Sequence, residues 1–227
     1  MINIILVLFG LFVLFVLLVR IAFAKEIKAA REKDPAARNA WQIIFLYPGF
    51  HAIVSHRMAH FLWILNMPFF SRALSQLSRF FTGIEIHPGA QIGQGFFIDH
   101  GMGVVIGETT IVGNNVTLFQ GVTLGGTGKE TGKRHPTLGS NIVVGSGAKI
   151  LGNIAIGDNS YIGANAVIIH DVPPNSTVVG VPGRVTKQDG RKIDTMMDHV
   201  HILDPVKQQI DELQKRIDSL ENELKRK

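Results

Sequence analysis

The side chains able to do chemistry gather in two short stretches. Glu85-Ile86-His87-Pro88 is followed by Ile98-Asp99-His100-Gly101-Met102-Gly103, and Gly125-Gly126-Thr127-Gly128-Lys129 by Lys133-Arg134-His135-Pro136. An imidazole can take up a proton near neutral pH, and cationic side chains can hold a carboxylate. The run Gly125 to Lys129 suggests a phosphate loop, but that motif requires G-x-x-x-x-G-K-[S/T]. Thr123 stands where its first glycine belongs and Glu130 follows the lysine, so the loop is excluded. His56 and His60 have ligand spacing for a metal, yet no carboxylate completes an H-E-x-x-H pattern. The chain has 227 residues and no cysteine, which excludes disulfides, Cys-ligated zinc, iron–sulfur clusters and a thiol nucleophile.

The elements that carry these stretches repeat with a period of six. Aliphatic residues stand at Ile86, Ile92 and Ile98, then at Ile106, Val112, Leu118 and Leu124, then at Val144, Ile150, Ile156, Ile162 and Ile168. Glycine follows many of them, and small or β-branched residues recur four places on. Neither a strand period of two nor a helix period of 3.6 gives this pattern. It is the hexapeptide signature of a parallel β-helix, one short strand and one turn per repeat and three repeats per coil. The phase slips by two between Ile98 and Ile106, and the step from Leu124 to Val144 is 20 where three repeats need 18. A plain stack needs neither irregularity, and the chemistry-bearing residues lie at both.

Charge and hydropathy divide the rest. Net charge is +5 and mean hydropathy +0.22. Residues 1–83 carry +6, residues 84–185 carry −1 and residues 186–227 carry 0. The folded middle therefore lacks the basic stripe that nucleic-acid binding demands. Ile2 to Val19 is free of charge, about 27 Å as a helix and just enough for the ~30 Å core of a bilayer. Lys25, Lys28, Arg31 and Lys33 follow, which puts the C-terminal side in the cytoplasm. A signal peptide ending at Ala22-Phe23-Ala24 and a helix buried in an oligomer are the rival readings.

Apolar residues at Leu203, Val206, Ile210, Leu213, Ile217, Leu220 and Leu224 alternate by three and four. They mark a heptad and a short parallel coiled coil, with one amphipathic helix packed on its own domain as the alternative. The expected layout is an apolar anchor at 1–24, a helical region at 25–83, a β-helix at 84–185, a linker at 186–202 and the tail helix at 203–227.

Ile98 to Thr109, Gly121 to Lys129, Lys133 to Pro136, Gly147 to Ile154 and Gly180 to Arg184, in that order, resemble the serine O-acetyltransferases. These belong to the left-handed β-helix, hexapeptide-repeat acyltransferases. The resemblance covers about Asp34 to Val185. It implies a left-handed parallel β-helix with helical ends, acetyl-CoA as co-substrate and L-serine as acceptor. O-acetylserine for cysteine synthesis would be the product. His100 matches the catalytic base, and Glu85 the carboxylate that orients it, one methylene longer than the usual Asp. Asp34 and Asp99 match contacts to the serine ammonium, and Arg134 and His135 contacts to its carboxylate. Asp34, before Pro35, also reads as a helix N-cap. Gly125, Gly126, Thr127, Ser146 and Ala164 match coenzyme A contacts, and no metal is implied. Active sites of the family lie between subunits of a trimer. The shortened helical region departs from the pattern that pairs two trimers into a hexamer, and the Lys225-Arg226-Lys227 end from the C-terminal Ile that binds the next enzyme. An acetyltransferase acting on a sugar or envelope polymer is the alternative within the fold. A structural or metal-binding trimeric β-helix using His87, His100, His135 or His170 is the alternative outside the enzyme class.

Overall fold

The computed structural model describes residues 2–128, 131–189 and 213–219. Five helices lead: α1 (Ile2–Ala22), α2 (Ala24–Lys33), α3 (Ala40–Leu46), α4 (Pro48–Ile64) and α5 (Pro68–Thr82). Proline opens α4 and α5, where its missing N–H costs nothing and its φ suits the first turn. Asn39 caps α3 by accepting from the Gln42 N–H at 2.9 Å. Asp34 is no N-cap: it closes α2, and its Oδ1 accepts from the Ala36 N–H at 2.7 Å in a turn that no helix follows.

The strands are short and wind in coils. The first coil holds β1 (Glu85–Ile86), β2 (Gln91–Ile92) and β3 (Phe97–Ile98), the second β4 (Val105–Ile106), β5 (Ile111–Val112) and β6 (Thr117–Leu118). The third holds β7 (Thr123–Gly125), β8 (Thr137–Leu138) and β9 (Val143–Val144), the fourth β10 (Lys149–Leu151), β11 (Ala155–Ile156) and β12 (Tyr161–Ile162). Then come β13 (Val167–Ile168), β14 (Ser176–Val179) and β15 (Arg184–Gln188). Like strands stack in parallel into three faces: β1-β4-β7-β10-β13, β2-β5-β8-β11 and β3-β6-β9-β12-β14. The fold is a left-handed parallel β-helix with helices before it. Among the described residues only β15 turns back antiparallel, on β14, and it carries the body to Gln188.

The sixfold aliphatics are the core. Ile98, Ile106, Leu118, Leu124, Ile150 and Ile162 are each no more than 2% exposed, stacked one above another inside the prism. The first two coils pair Ile86 with Ile106 and Ile98 with Leu118, a step of 20. The next steps differ: Ile106 pairs with Leu124 at 18 and Val112 with Leu138 at 26. The stretch from Leu124 to Val144 thus holds two repeats and one loop of eight extra residues, not three repeats with two extra. That loop carries Arg134 and His135.

The corner between the second and third faces is held by an asparagine ladder. Asn115, Asn141, Asn159 and Asn175 all have φ 58°, a region in which Asn is tolerated better than other residues with a side chain. Each amide donates to the residue one coil on, Asn115 to Asn141 at 2.8 Å, Asn141 to Asn159 at 3.1 Å and Asn159 to Asn175 at 3.0 Å.

The helices pack on the first coil. A Cβ on Gly49 at the start of α4 would lie 2.2 Å from the Ile98 carbonyl oxygen, so α4 lies directly on β3. Gly83 ends α5 at φ 70°, and its carbonyl accepts from the Gly103 N–H at 2.9 Å. Both contacts press on the turn that holds His100. Among the described residues no single helix is long and apolar enough to cross a membrane, although Leu6–Ala22 and Ala24–Lys33, bent by 70°, pass that test together. Of the tail, 213–219 are helical; the rest of the proposed coiled coil, and 190–202 of the linker, lie outside the described residues.

Candidate active site

The first cluster sits at the corner between the third face and the first. The two residues added to the first coil lengthen its turn, and His100 occupies that turn with φ 58° and a side chain 74% exposed. Its Nε2 lies 4.0 Å from Asp99 Oδ1. Asp99 itself is buried at the end of β3. Directly beneath, Tyr47 donates its hydroxyl to Asp34 Oδ2 at 2.5 Å. Burial, then the hydrogen bond to Asp34, then the charges of Asp34 and Asp99 push the Tyr47 hydroxyl pKa well above its ordinary value. Two carboxylates 65 residues apart in the chain therefore face one site, through the α2–α3 link and β3. Tyr47 went unread in the sequence because nothing in its spacing ties it to Asp34 or Asp99.

The second cluster sits at the next corner, between the first and second faces. Thr109 organises it: its Oγ1 accepts from the backbone N–H groups of Arg134 at 3.1 Å and His135 at 3.2 Å. The Thr109 N–H and hydroxyl point at His135 Nδ1, at 3.2 and 2.9 Å. Nδ1 is thereby an acceptor, and the neutral ring carries its proton on Nε2. Burial, then Arg134, holds the His135 pKa below its ordinary value, with Glu108 opposing and Lys133 adding a small push the same way. The ring lies over Gly107, where a Cβ would meet His135 Cδ2 at 2.0 Å and Nε2 at 2.1 Å. Arg134 Nη2 stands 3.8 Å from Glu108 Oε2. One coil below, His87 is also held neutral, chiefly by burial and then by Arg72.

Glu85 lies on the first face between these corners. Its carboxylate meets Arg79 at 3.3 Å and Arg72 at 4.0 Å, both from α5. Among the described residues no hydrogen bond or ion pair joins Glu85 to His100. The proposed coenzyme contacts also divide. Ser146 and Ala164 stack on the His100 corner, where the Ser146 carbonyl accepts from Asn165 N–H at 2.8 Å. Gly125, Gly126 and Thr127 lie on the His135 side, where Gly125 O accepts from Gly152 N–H at 3.0 Å. Both tracks are lined by small residues and open backbone, which suits an extended chain lying against a coil. Among the described residues no group of three or more His, Asp or Glu could hold a metal ion. His56 and His60, whose rings are 5.6 Å apart, lie in α4 against the first-coil turn beside His87, with His60 bonded to the Pro88 carbonyl at 2.6 Å.

The comparisons with known proteins agree with this arrangement. The bacterial transferase hexapeptide family (six repeats) matches residues 135–170. A serine acetyltransferase of Bacillus licheniformis is 55% identical over 203 residues, covering 89% of this chain and 94% of the relative. That of Bacillus subtilis is 55% identical over 200 residues, 88% and 92% of the two chains. The solved serine acetyltransferase of Neisseria gonorrhoeae superposes with a TM-score of 0.74 at 41% identity, over 76% of this chain and 68% of that one. A soybean serine acetyltransferase complexed with serine gives 0.71 at 45%, over 74% and 69%. With more than half the residues shared over nearly the whole length, the chain belongs to the serine acetyltransferase family.

Proposed function

We propose that the protein transfers the acetyl group of acetyl-CoA to the hydroxyl of L-serine, giving O-acetyl-L-serine and CoA. The observation that carries the reading is the pairing of charge types at neighbouring corners. Asp34 and Asp99 converge beside His100, and Arg134 stands beside a neutral His135. An ammonium and a carboxylate on one small acceptor need such a clamp; a sugar hydroxyl does not. His100 takes the serine hydroxyl proton as the oxygen attacks the thioester carbonyl. Collapse of the tetrahedral intermediate breaks the carbon–sulfur bond, and the proton passes from His100 to the CoA sulfur. Asp34 and Asp99 receive the ammonium, Arg134 and the Nε2–H of His135 the carboxylate. Glu85, held by Arg72 and Arg79, supplies a fixed negative charge near the base. Gly125, Gly126, Thr127, Ser146 and Ala164 line the coenzyme path.

The acidic cluster and the basic cluster occupy different corners of one chain. That separation supports a homotrimer in which His100 of one subunit works with Arg134 and His135 of its neighbour. The tail at 203–227 is assigned as a helix of a coiled coil joining the subunits. The apolar α1 attaches the enzyme to the cytoplasmic face of a membrane.

The test is release of CoA from acetyl-CoA on addition of L-serine. Serine-dependent release with O-acetylserine as product is the expected result. Sugars outperforming serine in an acceptor panel, or no serine dependence, overturns the assignment.

A further inference from the structure

We propose that the outward face of α5 is the seal of the trimer: three copies of this helix pack their apolar sides against one another around the molecular axis, at the lower edge of the three first faces. This rests on the homotrimer proposed above. The helix is folded inside out. Its buried side chains are Ser71, Ser75 and Thr82, while Phe69, Phe70, Leu77, Phe80 and Phe81 are between 55% and 81% exposed. At 3.6 residues per turn those five fall within about 120° of the helix surface, opposite the hydroxyls. The inward side is satisfied by the chain itself. Ser75 donates to the Ile86 carbonyl at 2.8 Å, Ser71 to that of Pro68 at 2.9 Å and Thr82 to that of Ser78 at 2.7 Å. Arg72 and Arg79 hold Glu85. A helix that turns its polar side to its own body and leaves four phenylalanines in water is shaped for a partner.

That partner is a second and third copy of this chain. Closure decides the direction. Three prisms joined His100 corner to His135 corner form a ring only with the face between those corners inside, and that is the first face. α5 runs along its lower edge: Ser75 reaches β1, and Arg72 and Arg79 reach Glu85 on the outer surface. On the helix, Phe69 and Phe80 stand within about 100° of those arginines, so they point out from the first face and toward the axis. The size fits as well. The four phenylalanines leave on the order of 600 Å² open, and a stable interface takes ~800 Å² from each partner. The coils supply little of this. Their outward column on the first face is Glu85, Val105, Thr123, Lys149 and Val167, and only Val105 in it is a large, exposed apolar residue. The apolar strip also leads to the site. Met102, 68% exposed, lies over Gly83 and belongs to the turn of His100.

Two measurements on the full chain in detergent test the seal. In sedimentation the wild type should run as a trimer and the Phe80→Lys/Phe81→Lys variant as a monomer. The variant should lose at least tenfold in serine-dependent CoA release per chain while its circular dichroism still shows the coils. The absence of cysteine allows a second measurement that disturbs the fold less. Phe80→Cys, as the single thiol, should give a covalent trimer with a short three-armed maleimide, and Lys187→Cys on β15 should not. A variant that stays trimeric, or no covalent trimer from Phe80→Cys, overturns the proposal. So does a wild-type hexamer that the double substitution splits into trimers, since the face would then join two trimers. Retained trimers with weaker binding to phosphatidylglycerol vesicles would make the face a lipid surface and overturn it too. A wild-type trimer that the substitutions dissociate, but that releases no CoA with serine, would uphold the seal and tell against the enzymatic reading alone.

Discussion

The proposed reaction hangs on a few side chains, one of them exposed and one held tightly. His100→Ala should lower turnover about 10²–10⁴-fold, the usual worth of a general base, in the CoA-release assay; unchanged turnover would remove its role. Gly107→Ala is a finer probe. A methyl there collides with the His135 ring, 2.0 Å from Cδ2, and must push it off the substrate side. A displacement near 1 Å costs on the order of 10²-fold when orientation matters. The KM for serine should therefore rise about tenfold or more, while the chain folds and binds acetyl-CoA as before. Some of this was legible in advance: His100, Asp99, Arg134 and His135 stand where the repeat is broken. Tyr47 and the arginines on Glu85 were not. Their partners are 13, 13 and 6 residues away along the chain, and no periodicity connects a tyrosine before Pro48 to an aspartate that ends another helix.

The strands and helices hold those side chains by means that can be broken singly. In the asparagine ladder, Asn141 combines a left-handed backbone with hydrogen bonds to both neighbours. Asn141→Ala should cost about 2–3 kcal/mol, from the strain of alanine at positive φ and two lost bonds. Asn141→Gly should cost less because only the bonds go; urea unfolding compares them. On α4, His56 is 3% exposed and its pKa is pushed down to about 3 by burial, then by Arg57 and His60. Between about pH 3 and 6.5 the unfolded chain binds a proton that the folded chain refuses. Stability should fall as pH drops through that window, by up to about 1.4 kcal/mol per unit for this group. His87 and His135 add in the same direction. His56→Leu should flatten the slope of melting temperature against pH. The hexapeptide aliphatics predicted the three faces, since burial demands one inward residue per strand. The loop at 126–136 was misread because its eight-residue insertion is one six-residue repeat plus two, which nearly restores the phase.

At the scale of the whole molecule, the proposed trimer, with the site divided between two corners, predicts that activity is a property of the assembly. His100→Ala and Arg134→Ala chains should each be inactive alone. A 1:1 mixture assembled at random should recover about a quarter of the wild-type activity, the share of all interfaces that pair one intact His100 with one intact Arg134. No recovery after verified subunit exchange would place both groups in one subunit's site. The end of the prism carries a different consequence. A stack of parallel coils has no natural last member, and its final rung offers unpaired peptide groups to any similar chain. Here the chain closes itself: β15 reverses across β14, and the turn before it bonds Val167 through Gly180 O at 3.1 Å and Gly183 N–H at 2.8 Å. β15 thus ends the third face in a strand of reversed direction, so the parallel register that a further coil would copy is not what that face presents.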